Sequence, residues 1–306
     1  SVSAFLLNRS SDLEIILSLP CFLFLFFLFL QLISIVMKEL LIRSVSGILM
    51  GVVLLACVFV SPWTWMALLL FIVVVGTFEM SRLLKMNSFT GIVIGEMLSI
   101  SSFIIPALVA LQIISSSCLL LEMLIVMMPF LYSLFSKKHD AKPIFTYLFA
   151  SFTFLSLPSI LMLFMYREDL FGALAGAKLI ILVFSLLWIN DIFAYLTGKL
   201  LGRHKLFPRI SPGKTIEGSV GGLVFTLVSL AIFCHYSHWF SISYAMGLGT
   251  IAVVFGTLGD LCESMLKRQA GVKDSGKLIP GHGGILDRFD SIMFSMPFIF
   301  VYLLLL

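Results

Sequence analysis

The chain has 306 residues, 60% of them hydrophobic and only 12% charged, with a mean hydropathy of +1.13. Twenty Lys+Arg and sixteen Asp+Glu are far too few charges to coat a soluble globule of this size. The composition excludes a disordered chain, a collagen, a coiled coil and a disulfide-stapled secreted scaffold, and leaves an all-α, polytopic integral membrane protein. The five cysteines, Cys21, Cys57, Cys118, Cys234 and Cys262, show no CxxC spacing and mostly sit in apolar runs, as small buried hydrophobes do.

In chain order, apolar runs long enough to cross hydrocarbon fall near 15–36, 43–60, 63–80, 91–114, 118–135, 144–165, 175–197, 219–236, 242–261 and 291–306. Strict alternation is absent, which argues against a β-barrel, and no long internal repeat stands out. The expectation is about nine core transmembrane helices plus one N-terminal hydrophobic segment. Three regions follow: an N-terminal extension over 1–37, transmembrane helices over 38–174, and a catalytic transmembrane region over 175–306 with two polar loops. The Phe-rich extension admits three readings: an extra span, a leader, or sequence upstream of a start at Met37. It lacks the basic flank and small-residue cleavage site of a signal peptide, so it is treated as peripheral, and its loss should leave activity largely intact.

Charge gives the orientation. The alternate polar segments 37–43, 81–90, 136–143, 198–218 and 262–290 hold 17 of the 20 basic residues. The positive-inside rule places them in the cytoplasm. The two longest loops share that face, so a soluble substrate would arrive there, at the cell (inner) membrane.

Three places break the apolar pattern. The first is Trp188-Ile-Asn-Asp-Ile-Phe-Ala-Tyr195, where Asn190 and Asp191 interrupt an apolar helix; a carboxylate there is expensive and usually faces a partner or a cavity. The second is Phe207–Gly218. Gly213-Lys214-Thr215 invites a P-loop reading, but position 208 is Pro where that motif needs Gly, and no strand is foreseen to launch it. Ser211, Lys214, Thr215 and Glu217 precede Gly218, Gly221 and Gly222 at a helix entrance, where amides, a hydroxyl and an ammonium can hold a polyphosphate.

The third place is the densest. From Gly259 to Ser291 it carries the acids Asp260, Glu263, Asp274, Asp287 and Asp290 beside Lys267, Arg268, Lys273, Lys277 and Arg288. Bunched carboxylates repel unless a cation neutralises them, and hard oxygen ligands suit Mg²⁺. The bases can hold phosphates. Together these are the parts for phosphoryl or nucleotidyl transfer. His282 admits either a general-base role or a structural, phosphate-bonding one. His235 and His238 have metal-like spacing but no acidic or Cys partner nearby. Glu79, Glu96 and Glu122 lie in or near spans with no evident task.

Ser264, Lys267, Arg268, Lys273, Asp274, Gly276, Ile279, Pro280, His282, Gly283, Gly284, Asp287, Arg288 and Asp290 together resemble the C-terminal signature of the phosphatidate cytidylyltransferase (CDP-diacylglycerol synthase) family. Asn190-Asp191 with Ala194, Tyr195, Gly198 and Lys199, and Ser211 with Lys214, Thr215, Glu217 and Gly218, resemble two further motifs of that family. Gly213 departs from it, standing where members often carry Lys or Asn. The resemblance implies the reaction CTP + phosphatidate → CDP-diacylglycerol + pyrophosphate, an all-helical membrane fold, a homodimer and Mg²⁺ dependence, with K⁺ admitted as a second ion. It implies no nucleic-acid partner. By motif, Asp260 and Asp287 become the metal ligands with Asp290 close by. Lys267, Arg268 and Lys214 would meet triphosphate or headgroup. Asn190, Asp191, Ser211, Thr215, Glu217, Ser264, Lys273, Asp274 and Arg288 would complete the substrate site, with His282 beside the reacting groups.

Other readings fit less well. A CDP-alcohol phosphatidyltransferase would carry Asp-Gly, and the chain has no such dipeptide. A transporter would spread its charges over paired broken helices at mid-membrane. A CTP-dependent polyprenol or phytol kinase is nearer, but it does not require the whole 264–290 signature.

Overall fold

The computed structural model describes residues 44–122, 124, 125, 127, 134, 141–172, 176–237, 241–281 and 283–305. The chain divides into two compact units, Ser1–Met50 and Gly51–Leu306. The described residues of the first are the helical stretch 44–50. The candidate site lies wholly in the second.

Helix α1 runs over Ser44–Val60. Helix α2, Pro62–Leu83, starts one residue later on a reciprocal cap: Thr64 N donates to Ser61 Oγ and Ser61 N to Thr64 Oγ1, both at 3.1 Å, with Pro62 in the first turn. Helix α3 spans Phe89–Ala110, capped by Ser88, whose Oγ accepts from Gly91 N at 3.2 Å. Helices α4 (Ala141–Ser151) and α5 (Leu157–Phe164) form one continuous rod joined by a π-helical turn, Phe152–Ser156. Pro158 has no N–H to donate back one turn, and the π turn lies just ahead of it. After a short helix α6, Glu168–Phe171, come α7 (Ala177–Leu201), a hairpin of β1 (Lys205–Phe207) and β2 (Ser211–Thr215), then α8 (Ile216–Ser237), α9 (Ile242–Ala270) and α10 (Leu286–Leu304).

Among the described residues, six helices are long and apolar enough to cross a membrane: Pro62–Leu83, Phe89–Ala110, Ile144–Phe164, Ala177–Leu201, Ile216–Ser237 and Ile242–Ala270. Each matches a run expected from the sequence, as do α1 and α10. The expected span at 15–36 and half of the one at 118–135 lie outside the described residues. The fold is all-α as expected, with one short antiparallel hairpin that was not foreseen, whose β2 leads directly into α8. Helix α9 runs nine residues past its expected end. It stops at Gly271, whose left-handed backbone (φ +78°) returns its own N–H to Arg268 O at 3.1 Å.

The main apolar core gathers Trp65, Leu69 and Ile72 of α2 with Phe103 of α3, Met162 and Leu163 of α5, Phe184 of α7 and Met293, Met296 and Ile299 of α10. Trp65 meets the Phe184 ring edge-on, centroids 6.3 Å apart. Outward, α8 exposes Val220, Val224, Val228 and Ile232 at four-residue spacing. Such a stripe is costly in water and at home in hydrocarbon.

Candidate functional site

The site forms where polar helix ends gather: the C-terminal ends of α2, α7 and α9, the N-terminal ends of α8 and α10, and the hairpin. Helices α7 and α8 approach closely through small residues. A Cβ on Gly218 would lie 2.7 Å from Ala194 O, and one on Gly222 would lie 2.9 Å from Asn190 O. These glycines therefore serve helix–helix contact. The amides at the start of α8 are also engaged: Ile216 N donates to His204 O at 2.9 Å and Gly218 N to Thr215 Oγ1 at 3.1 Å. The polyphosphate cradle read from this entrance thus loses those two amides, and its available groups are Ser211 and Lys214.

A cavity of about 590 Å³ opens there, lined by Asn190, Asp191, Ser211, Lys214, Thr215 and Asp260 with Tyr195, Lys199 and Thr257. Asn190 is buried and its Nδ2 donates to Asp191 Oδ1 at 3.4 Å. Asp191 lies within electrostatic reach of Lys214, Asp260 and Arg288. Lys214 Nζ forms an ion pair with Asp260 Oδ2, and Ser264 Oγ donates to Asp260 Oδ1 at 3.3 Å. Hairpin and α9 therefore meet through opposite charges at the cavity wall.

Asp260 of this pair also belongs to a group of carboxylates. One oxygen each from Asp260, Glu263 and Asp290 falls within 4.8 Å of the others. Gly259 makes the arrangement feasible: a Cβ there would lie 2.7 Å from Asp290 O and 2.6 Å from Phe294 Cβ, so α10 can approach α9 only over a glycine. Glu263 is fully buried; its Oε2 pairs with Lys267, and Oε1 has no hydrogen-bond partner among the described residues. An unpartnered buried carboxylate oxygen beside two further acids fits a hard divalent cation. Asp260, Glu263 and Asp290 are the residues that would hold it.

Asp287 is differently engaged. Its Oδ1 accepts from Lys267 Nζ at 2.7 Å, and its Oδ2 accepts from Gly284 N at 2.7 Å, Ser275 N at 2.9 Å and Ser275 Oγ at 3.0 Å. Gly283 stands with φ +87°, where a Cβ would also lie 2.6 Å from Asp287 Oδ2. Lys267 thus lies between Asp287 and Glu263 and links the two carboxylate groups.

The remaining expected residues divide. Arg268 donates to Ile210 O and Val272 O, both at 3.3 Å, tying the hairpin turn to the end of α9 away from the cavity lining. Glu217 accepts from Arg203 N and His204 N at 3.1 Å and meets His204 Nδ1 at 2.6 Å, closing the base of the hairpin. Lys273 and Asp274 are exposed and make no side-chain hydrogen bond or ion pair among the described residues. Arg288 is exposed. His282 lies outside the described residues.

Two members went unassigned in the sequence. Glu263 was counted among the acids without a role, although its i,i+3 spacing from Asp260 places both on one helix face. Glu79 accepts from Ile285 N at 3.1 Å, Leu286 N at 2.9 Å and Ser275 Oγ at 2.9 Å. Its only signal was a carboxylate inside an apolar run.

A model of the cytidylyltransferase family matches residues 41–306. A phosphatidate cytidylyltransferase of Staphylococcus aureus (strain COL) is 36% identical over 245 residues, covering 78% of this chain and 90% of the relative. One from Staphylococcus haemolyticus (strain JCSC1435) is 35% identical over 270 residues, 86% of this chain and 98% of the relative. With its sequence matched over most of its length, the chain belongs to the cytidylyltransferase family and is a nucleotidyltransferase.

Proposed function

We propose that the chain transfers the cytidylyl group of CTP to phosphatidate, releasing pyrophosphate and forming CDP-diacylglycerol, with Mg²⁺ and at the cytoplasmic face of the cell membrane. The observation that carries this reading is the Lys214–Asp260 pair at the wall of the cavity of about 590 Å³, since the same Asp260 also groups with the Glu263 and Asp290 carboxylates. The names of the relatives supply the substrates. The basic segments counted above supply the sidedness.

An oxygen of the phosphatidate phosphate attacks the α-phosphorus of CTP; the bond to the bridging oxygen breaks and pyrophosphate carries off the electron pair. No covalent enzyme nucleophile is required, because the lipid phosphate is already ionised. The difficulty is repulsion between two multiply charged anions. A divalent cation held by Asp260, Glu263 and Asp290 would supply charge neutralisation and Lewis acidity. Lys214 can exchange Asp260 for a phosphate oxygen, since the cavity opens on both. Ser211 offers a hydroxyl at the same wall. Asn190 and Asp191 form the polar floor, where a headgroup entering laterally between helices would stop. Lys267 holds Glu263 and Asp287 in register. A homodimer belongs to the reading on the resemblance alone.

The test uses purified protein, phosphatidate and CTP labelled either in the base or in the γ-phosphate. Cytidylyl transfer carries base label into lipid and γ label into pyrophosphate. Lipid that takes up γ label only would identify a CTP-dependent lipid kinase instead.

A further inference from the structure

Glu79 stands at the C-terminal end of α2, about 200 residues before the loop that it touches. It is 3% exposed, so its carboxylate must be satisfied from within. Three donors do this: Ile285 N and Leu286 N, the first amides of α10, and the Ser275 hydroxyl. A carboxylate on helix N-terminal amides is favoured by both the free N–H groups and the dipole. The loop is shaped around it. A Cβ on Gly276 would lie 2.8 Å from Glu79 Cδ, and one on Gly284 would strike both Glu79 oxygens. These signature glycines therefore leave room for an acid from another part of the chain.

The same serine reaches the site. Ser275 Oγ is 2.9 Å from Glu79 Oε2 and 3.0 Å from Asp287 Oδ2, while Ser275 N and Gly284 N also donate to Asp287 Oδ2. The hydroxyl has one proton for two carboxylates, so its orientation is shared between them. Whatever fixes Ser275 and the start of α10 also fixes where Asp287 points.

We propose that Glu79 is a positioning residue for the reaction: a buried carboxylate of α2 that sets the Ser275–Leu286 segment and, through Ser275, the orientation of Asp287. Its kinetic consequence rests on the cytidylyltransferase reading above; its geometric consequence does not.

The test compares wild type, Glu79→Gln, Ser275→Ala and the double variant in detergent. It measures kcat and KM for CTP together with hydrogen exchange of the amides from Ser275 to Leu286. Glutamine keeps the shape but offers one acceptor where two are used. Glu79→Gln should lower kcat roughly tenfold to a hundredfold with KM for CTP changed by less than about threefold. Exchange should quicken at Ser275, Gly284, Ile285 and Leu286. Ser275→Ala should lower kcat less, and the double variant should fall less than the two single losses multiplied, because both act on one carboxylate. Faster exchange with wild-type kcat would make Glu79 merely structural and overturn the proposal, as would multiplicative losses. Should Glu79→Gln fail to accumulate, Ser275→Ala decides: wild-type kcat there overturns it. An inactive wild type would sink the cytidylyltransferase reading instead, and exchange alone would then decide: unchanged protection of Ser275 and Gly284 in Glu79→Gln overturns the positioning.

Discussion

Lys267 Nζ lies 2.7 Å from Asp287 Oδ1 while pairing with Glu263 one turn back on its own helix. One ammonium thus joins the end of α9 to the start of α10 and separates two buried carboxylates that would otherwise repel. Replacing Lys267 by Met should strand Glu263 and leave Asp287 with only its Gly284 and Ser275 donors. The expected cost is about 3–5 kcal/mol of stability, as for other broken buried pairs, together with loss of turnover. Denaturant unfolding in mixed micelles checks the first effect. Wild-type stability in Lys267→Met would show that the two acids do not depend on this cation.

Lys214 should behave differently, because its partner Asp260 borders an open cavity. Lys214→Met should leave stability within about 0.5–1 kcal/mol of wild type, since partly exposed pairs contribute little. Turnover should nevertheless fall by about 10²–10³, the range for losing one group that stabilises developing charge. The steady-state rate at saturating CTP and phosphatidate is the measurement. A rate near wild type would remove Lys214 from the chemistry.

Gly259 separates packing from chemistry. Gly259→Val should push α10 from α9, cost about 1–3 kcal/mol as overpacking does, and disperse the carboxylate group. Gly213→Ala is the control: nothing lies within 4 Å of a Cβ at Gly213, so thermal unfolding should not move. If Gly259→Val is as stable and active as wild type, the close approach at Asp290 has no role in holding the group together.

Much of this arrangement was legible in the sequence. The apolar runs located α1–α3, the α4–α5 rod and α7–α10, because hydrocarbon demands long helices. The signature from Ser264 to Asp290 located the loop at which α9 and α10 meet. Three features were not legible, each for a physical reason. The hairpin strands hold three and five residues with Pro212 and Gly213 inside β2, so no alternating pattern could announce them. Gly218 and Gly222 look like a flexible anion loop in one dimension; only the contacts at Ala194 and Asn190 identify them as a helix-packing face. Glu79 depends on a contact spanning more than 190 residues, which no local spacing encodes. The metal-ligand expectation rested on Asp260 and Asp287 with Asp290 close by. The geometry groups Asp260 and Asp290 with Glu263, while Lys267, Ser275 and Gly284 engage Asp287.

That grouping has its own test. Glu263→Gln should raise the Mg²⁺ concentration needed for half-maximal activity by at least about tenfold. Mn²⁺ binding followed by electron paramagnetic resonance should weaken in parallel. Equal Mn²⁺ affinity in Glu263→Gln and wild type would exclude Glu263 from the ligand set.

The most direct test of the whole account is transfer of base-labelled CTP to phosphatidate by purified wild-type protein and by Asp260→Asn, each with Mg²⁺ and after rigorous chelation. Asp260 belongs to both the cavity wall and the carboxylate group, so its loss strikes both at once. The account predicts labelled CDP-diacylglycerol only from wild type with Mg²⁺, and a folded but inactive Asp260→Asn. Labelled lipid formed at near wild-type rate by Asp260→Asn, or by metal-free wild type, would contradict it.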